Sequence, residues 1–71
     1  MVYVLSVSET GEDDDLETVA TDEARVVLEG EAQRIRNAWP SGSRCGLVLI
    51  ESEVGPVVQW TRTERGAWAR T

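Results

Sequence analysis

The segment that decides the fold is residues 46–63, GLVLIESEVGPVVQWTRT. Residues 46–52 and 56–63 are rich in β-branched and aromatic side chains, which favours two strands. The sequence Glu53-Val54-Gly55 between them is typical of a short turn. Pro56 is tolerated at the start of a strand, where its missing N–H matters least. The segment therefore predicts an antiparallel hairpin.

A further strand follows this hairpin. Glu64-Arg65-Gly66 reads as a second turn, with Gly66 suited to a left-handed position, and residues 67–71 (AWART) return along the sheet. Loops of three residues each would then set the register. One face of the three strands, taken to be the helix side, would carry Val48, Ile50, Val58, Trp60 and Trp68. The same register places Arg62 opposite Trp68 and Arg70 opposite Trp60, as cation–π pairs.

The opposite face of these strands carries an apolar patch, Leu47, Leu49 and Val57, among small and polar residues. No segment of the chain is predicted to cover it. An uncovered apolar patch is typical of an interaction surface. The patch is therefore a candidate contact for a partner or for a second copy of the chain.

The segment before the hairpin adds two strands and a helix. Residues 2–7 (VYVLSV) predict an interior strand with Tyr3, Leu5 and Val7 on one face. Residues 8–15 form a polar turn around Gly11, and residues 16–20 (LETVA) are a candidate return strand.

The helix is expected to begin at Thr21 as N-cap, with Asp22 and Glu23 in its first turn, and to run to about Ala38. Its apolar positions recur at helical spacing, with Glu31 as the one interruption. These positions are Ala24, Val27, Leu28, Ala32, Ile35, Ala38 and Trp39. Residues 40–43 (PSGS) are expected to stop it.

The fold class predicted is α+β, with one helix packed on a small, mostly antiparallel sheet in the order β-β-α-β-β-β. At 71 residues the chain is long enough for a single domain, residues 1–71. Such a chain buries only about 60% of the surface that its unfolded form exposes, so its core is small.

Charge is distributed very unevenly. Residues 9–31 hold ten carboxylates against one arginine, a formal −9, whereas residues 34–71 hold three acids and six arginines, a formal +3. Three interpretations are open: a solvated surface, a docking surface for a basic protein, and a divalent-cation site. The cation site is the weakest, because residues 12–15 (EDDD) lack the alternating spacing of a calcium loop.

The leading hypothesis is a small binding protein that docks on a basic macromolecule such as a nucleic-acid-binding protein, mimicking nucleic-acid phosphates. The residues predicted to contact the partner are Glu9, Glu12, Asp13, Asp14, Asp15, Glu17, Asp22, Glu23, Leu47, Leu49 and Val57. Short acidic chains of this style are common among accessory proteins and inhibitors of bacteriophages and their hosts. The alternative is an assembly subunit that oligomerises through the Leu47–Leu49–Val57 face.

No catalytic constellation is visible, and an enzyme is not expected. The chain has no histidine, which removes the commonest general base and metal ligand. Cys45 has no partner ligand or activating base. Residues 41–46 (SGSRCG) follow a helix and precede a strand, the reverse of a phosphate cradle. No cofactor, metal or direct nucleic-acid contact is therefore predicted.

Location is inferred from two features. One unpaired cysteine fits a reducing compartment, and no apolar run approaches the roughly 20 residues of a membrane span. A cytoplasmic protein without a membrane partner is expected.

Overall fold

The structure is a computed structural model that describes residues 1–40 and 45–71. The described residues form one α-helix and one five-stranded antiparallel sheet, so the predicted α+β class is confirmed. The elements are β1 (Tyr3–Ser8), a 3-10 turn (Asp13–Asp15), β2 (Glu17–Asp22), α1 (Arg25–Asn37), β3 (Gly46–Ser52), β4 (Gly55–Arg62) and β5 (Trp68–Arg70). The strands lie in the order β2-β1-β3-β4-β5, which places β3 at the centre.

The register of β3, β4 and β5 is the predicted one from the pair Ile50–Val58 onward. Next to the first turn the prediction is wrong: Ser52 pairs with Gly55, so the turn has two residues instead of three, and one extra residue in β4 restores the predicted register. Val48 pairs with Trp60, which in turn pairs with Arg70, and Arg62 pairs with Trp68. The turn between β4 and β5 closes with Gly66 at φ +82°, as its left-handed assignment requires.

The candidate second strand, predicted at residues 16–20, is confirmed as β2, which begins one residue later and ends two residues later in the sequence. It pairs with β1, which lies between β2 and β3 as predicted for an interior strand. Leu5 is opposite Ala20 and Ser6 is opposite Thr18, so Val19 is the extra residue of a β-bulge.

The predicted start of the helix is wrong. Thr21 belongs to β2 and pairs with Val4, and Asp22 is the last residue of the same strand. The helix begins at Arg25 after Ala24, whose N–H donates to Asp22 Oδ1 at 2.7 Å. A β-branched threonine beside a partner strand gains ladder hydrogen bonds that an N-cap position does not offer, and this tertiary pairing overrides the capping preference.

The end of the helix lies close to its predicted position. The helix ends at Asn37, ahead of Pro40. The rest of the expected stop, Ser41, Gly42 and Ser43, lies outside the described residues.

The core lies between α1 and one face of the sheet. Leu28 and Ala32 of the helix pack on buried side chains of β1, β3 and β4, and Trp39 belongs to the same cluster. The strand residues of this cluster are Leu5, Val48, Ile50, Val58 and Trp60. Val27, predicted to be buried, is 46% exposed. Successive helical residues are about 100° apart, so Val27 lies to one side of the contact line through Leu28 and Ala32.

The expectation that the Leu47–Leu49–Val57 patch lacks cover is wrong for its two leucines. Leu47 is 2% exposed and Leu49 is 7% exposed. Both lie on the central strand, so each is flanked on both sides by neighbouring strands. Val57 is the extra residue of a second β-bulge and packs in part against the helix-side core.

Residues after β1 return to the start of β3. Gly11, at φ +80°, comes so close to β3 that a Cβ there would lie 3.3 Å from Cys45 Cβ. Among the residues that the structure describes, no helix is long and apolar enough to cross a membrane.

Candidate functional site

Residues 9–17, which join β1 to β2 and include the first residue of β2, are called the acidic loop. A network around the Thr10 hydroxyl fixes its shape. Thr10 Oγ1 donates to Asp15 Oδ2 at 2.6 Å and accepts from the Glu12 N–H at 3.3 Å. Ser8 Oγ lies 3.2 Å from the same oxygen and must donate to it, since Thr10 has already given its hydrogen to Asp15. One hydroxyl therefore ties both ends of the loop together.

The 3-10 turn occupies the second half of the acidic loop. The Asp15 and Leu16 N–H groups donate to the carbonyls of Glu12 and Asp13 at 3.1 and 3.3 Å. The side chains of Asp13, Asp14 and Asp15 are exposed. The backbone thus presents three consecutive carboxylates to solvent on an ordered turn.

A cleft of about 280 Å³ separates the acidic loop from β2. Carboxylates of Glu9, Asp15 and Glu17 line it together with two valines and one hydroxyl, from Val7, Val19 and Thr10. Val19, which lines the cleft, is the bulge residue of β2 and has no paired residue in β1. The cleft therefore combines an anionic rim with apolar walls.

The carboxylates of the acidic loop have no arginine partner within residues 1–40 and 45–71. The ion pairs found there both lie within α1: Arg25 Nε with Glu29 Oε1 at 3.6 Å, and Arg34 with Glu31. The negative charge of the loop is consequently not compensated by a contact within the described residues.

The predicted acidic contact residues fall into two groups. Six of them lie together in the acidic loop: Glu9, Glu12, Asp13, Asp14, Asp15 and Glu17. Asp22 is the last residue of β2 and Glu23 follows it, so both lie at the far end of the strand, about 17 Å from Glu17 at the usual rise of an extended strand. The structure therefore does not join all eight into one surface.

The described part of the chain holds no group of three His, Cys, Asp or Glu side chains placed to hold a metal ion. Cys45 precedes β3 and is exposed as a free thiol.

A second charged surface lies on β4 and β5. The Arg62 guanidinium lies 5.9 Å from the centre of the Trp68 ring, and that of Arg70 lies 6.0 Å from the Trp60 ring, as the register predicts. Arg36 of α1 joins them at 4.2 Å from the Trp60 ring. We call Arg36, Arg62 and Arg70, with the two indoles, the arginine–tryptophan cluster.

Sequence reasoning missed Arg36. It follows Ala32 by four residues, so it lies beside the buried stripe of the helix and points toward the sheet. Its Nε–H donates to the Ala32 carbonyl at 3.2 Å. Burial lowers the pKa of the Arg36 guanidinium, and the charge of Arg70 lowers it further.

Comparison with models of protein families, with curated proteins and with solved structures finds no match to this chain. The fold and its surfaces define the class in structural terms: a small α+β domain with an acidic loop beside β1 and β2 and an arginine–tryptophan cluster on β4 and β5.

Proposed function

We propose that the protein is a non-enzymatic binding protein whose acidic loop docks on a basic surface of another macromolecule. The observation that supports this most strongly is the gathering of six carboxylates on one ordered loop, where no described arginine pairs with them. Exposed charge of one sign raises the association rate with an oppositely charged partner and penalises partners of like charge.

The concrete form of the proposal is an inhibitor that occupies the nucleic-acid-binding site of a basic protein in the cytoplasm. Consecutive carboxylates on a fixed backbone offer such a site the negative charge that phosphates provide. The cleft between the loop and β2 suits a long basic side chain. Its valines can contact the aliphatic stem of an arginine or lysine while Glu9, Asp15 or Glu17 meets the charged end.

The alternative, an assembly subunit that oligomerises through Leu47, Leu49 and Val57, has less support. The two leucines are buried within the chain, so little of their surface remains for a second copy. The acidic loop is therefore the preferred contact.

The proposal is tested by affinity capture from a lysate of the source cell at low and high salt. The test variant carries Asp13→Asn, Asp14→Asn and Asp15→Asn. The matched control carries Glu51→Gln, Glu53→Gln and Glu64→Gln, which changes the net charge equally outside the loop. We expect the wild type and the control to retain a basic protein at low salt and release it at high salt, and the test variant to retain none.

Two results would overturn the proposal. Equal capture by all three proteins would show that the loop carboxylates are not the contact. Capture that persists at high salt would show that apolar burial, not charge, holds the partner.

A further inference from the structure

The arginine–tryptophan cluster concentrates positive charge in a chain whose formal net charge is −6. Arg36 and Arg70 both lie against the Trp60 ring. Arg62 lies opposite Trp68 and is therefore diagonal to Arg70 across the β4–β5 pair, where diagonal neighbours are about 7–8 Å apart. Three arginines from three elements therefore lie against the two indoles on one face of the sheet.

These guanidinium groups lack an anionic partner within the described residues, since both ion pairs found there involve other arginines. Arg62 Nε is buried and has no hydrogen-bond partner among residues 1–40 and 45–71. Leaving a buried donor of a charged group without an acceptor is unfavourable, so a bound acceptor would stabilise it. The mutual repulsion of Arg36 and Arg70 would also fall if an anion lay between them.

The tryptophans limit what this ligand can be. Trp60 is 6% exposed and already has an arginine against its ring. A nucleic-acid base would need an open ring face on which to stack, and Trp60 offers none. The groups that remain free to bind are the N–H donors of the arginines, which match the oxygen atoms of an oxyanion.

We propose that Arg36, Arg62 and Arg70 form a binding site for a dianionic oxyanion, such as the phosphate group of a phosphate monoester. Three guanidinium charges favour a dianion over a single carboxylate because each additional opposite charge adds Coulomb attraction at short range. This site goes beyond the proposed docking function: it has the opposite charge, and β3 separates its strands from those of the acidic loop.

Tryptophan fluorescence can report anion binding at this site. Trp60 and Trp68 contact the guanidinium groups, so an anion that draws these groups away changes the tryptophan fluorescence. The experiment is a fluorescence titration of the whole chain with inorganic phosphate at constant ionic strength, with acetate as the monoanion. We expect a saturable change with phosphate and a much weaker response to acetate.

Substitutions of single arginines test which of them bind phosphate. Arg36→Gln and Arg70→Gln are each expected to weaken phosphate binding about tenfold or more, since a charge-assisted hydrogen bond is lost. Arg34→Gln removes the same charge from an arginine already paired with Glu31 and is expected to leave affinity unchanged. NMR of the Arg62 Nε–H group supplies a readout that does not depend on tryptophan, and its resonance should shift with phosphate.

The proposal is overturned if phosphate at millimolar concentration produces no saturable change in fluorescence or in the Arg62 Nε–H resonance. It is also overturned if Arg34→Gln weakens binding as much as Arg36→Gln, since the effect would then be general charge. Equal affinity for acetate would contradict the assignment to a dianion. Thermal unfolding of each variant establishes that it is folded under the titration conditions.

Discussion

The indole of Trp68 stands edge-on to the indole of Trp39, with ring centres 5.1 Å apart and planes at 88°. Trp39 follows the helix and Trp68 begins β5, so this contact joins the last strand to the end of α1. The Trp39 Nε1–H donates to the Cys45 carbonyl at 3.3 Å. Gly46 lies directly beneath the pair, where a Cβ would be 2.6 Å from the Trp39 ring and 3.0 Å from that of Trp68.

Gly46→Ala is therefore expected to destabilise the protein. The new methyl group meets two rigid rings that are held by each other, so the backbone or an indole must shift. Overpacking of this kind costs about 1–3 kcal/mol. Urea denaturation followed by tryptophan fluorescence measures the change. A variant as stable as the wild type would show that the two indoles do not fill the space above Gly46.

Gly30→Ala adds the same methyl group at a position where no neighbouring atom would clash with it. Gly30 lies on the exposed side of α1, and a Cβ there would meet nothing within 4 Å. Alanine is favoured over glycine inside a helix by about 1 kcal/mol, so the free energy of unfolding should rise. For a domain of this size, that corresponds to a midpoint about 4–8 °C higher in thermal unfolding. A fall in the midpoint would contradict the position of Gly30 in the helix.

Leu47→Ala distinguishes a buried residue from an exposed interface residue. Because Leu47 is fully buried, its truncation should cost about 2–5 kcal/mol. Val54→Ala, at an 88% exposed turn position, is the control and should change stability by no more than about 0.5 kcal/mol. Chemical denaturation gives both values. If Leu47→Ala were neutral, the leucine would be a surface residue and the assembly alternative would regain its contact.

Thr10→Val tests the network that fixes the acidic loop. The substitution keeps the β-branched shape and removes the hydroxyl that Ser8, Glu12 and Asp15 share. Faster amide hydrogen exchange is expected at Glu12, with a loss of about 0.5–1.5 kcal/mol in global stability. Thr18→Val, on the exposed edge strand β2, is the matched control. Unchanged exchange at Glu12 would mean that the hydroxyl does not hold the loop.

Local patterns sufficed for much of the fold. The boundaries of β3 and the register from the pair Ile50–Val58 to the end of the chain follow from residues 46–71, because alternation and short turns act over a few residues. The pairing of Arg62 with Trp68, and of Arg70 with Trp60, follows from the same register. The uneven charge that motivates the docking proposal is likewise a property of composition.

The sequence by itself determined the fold class, the strand pairing at the end of the chain and the location of the acidic segment. Only the tertiary structure decided that Thr21 belongs to a strand, that Leu47 is buried and that Arg36 contacts Trp60. Each of these depends on which elements become neighbours in space. Thr21 joins a strand because β1 lies beside it, and Leu47 lies in β3, which has a neighbouring strand on each side. Arg36 contacts the sheet because α1 packs against it. The spacing of residues within one segment does not predict contacts between different segments.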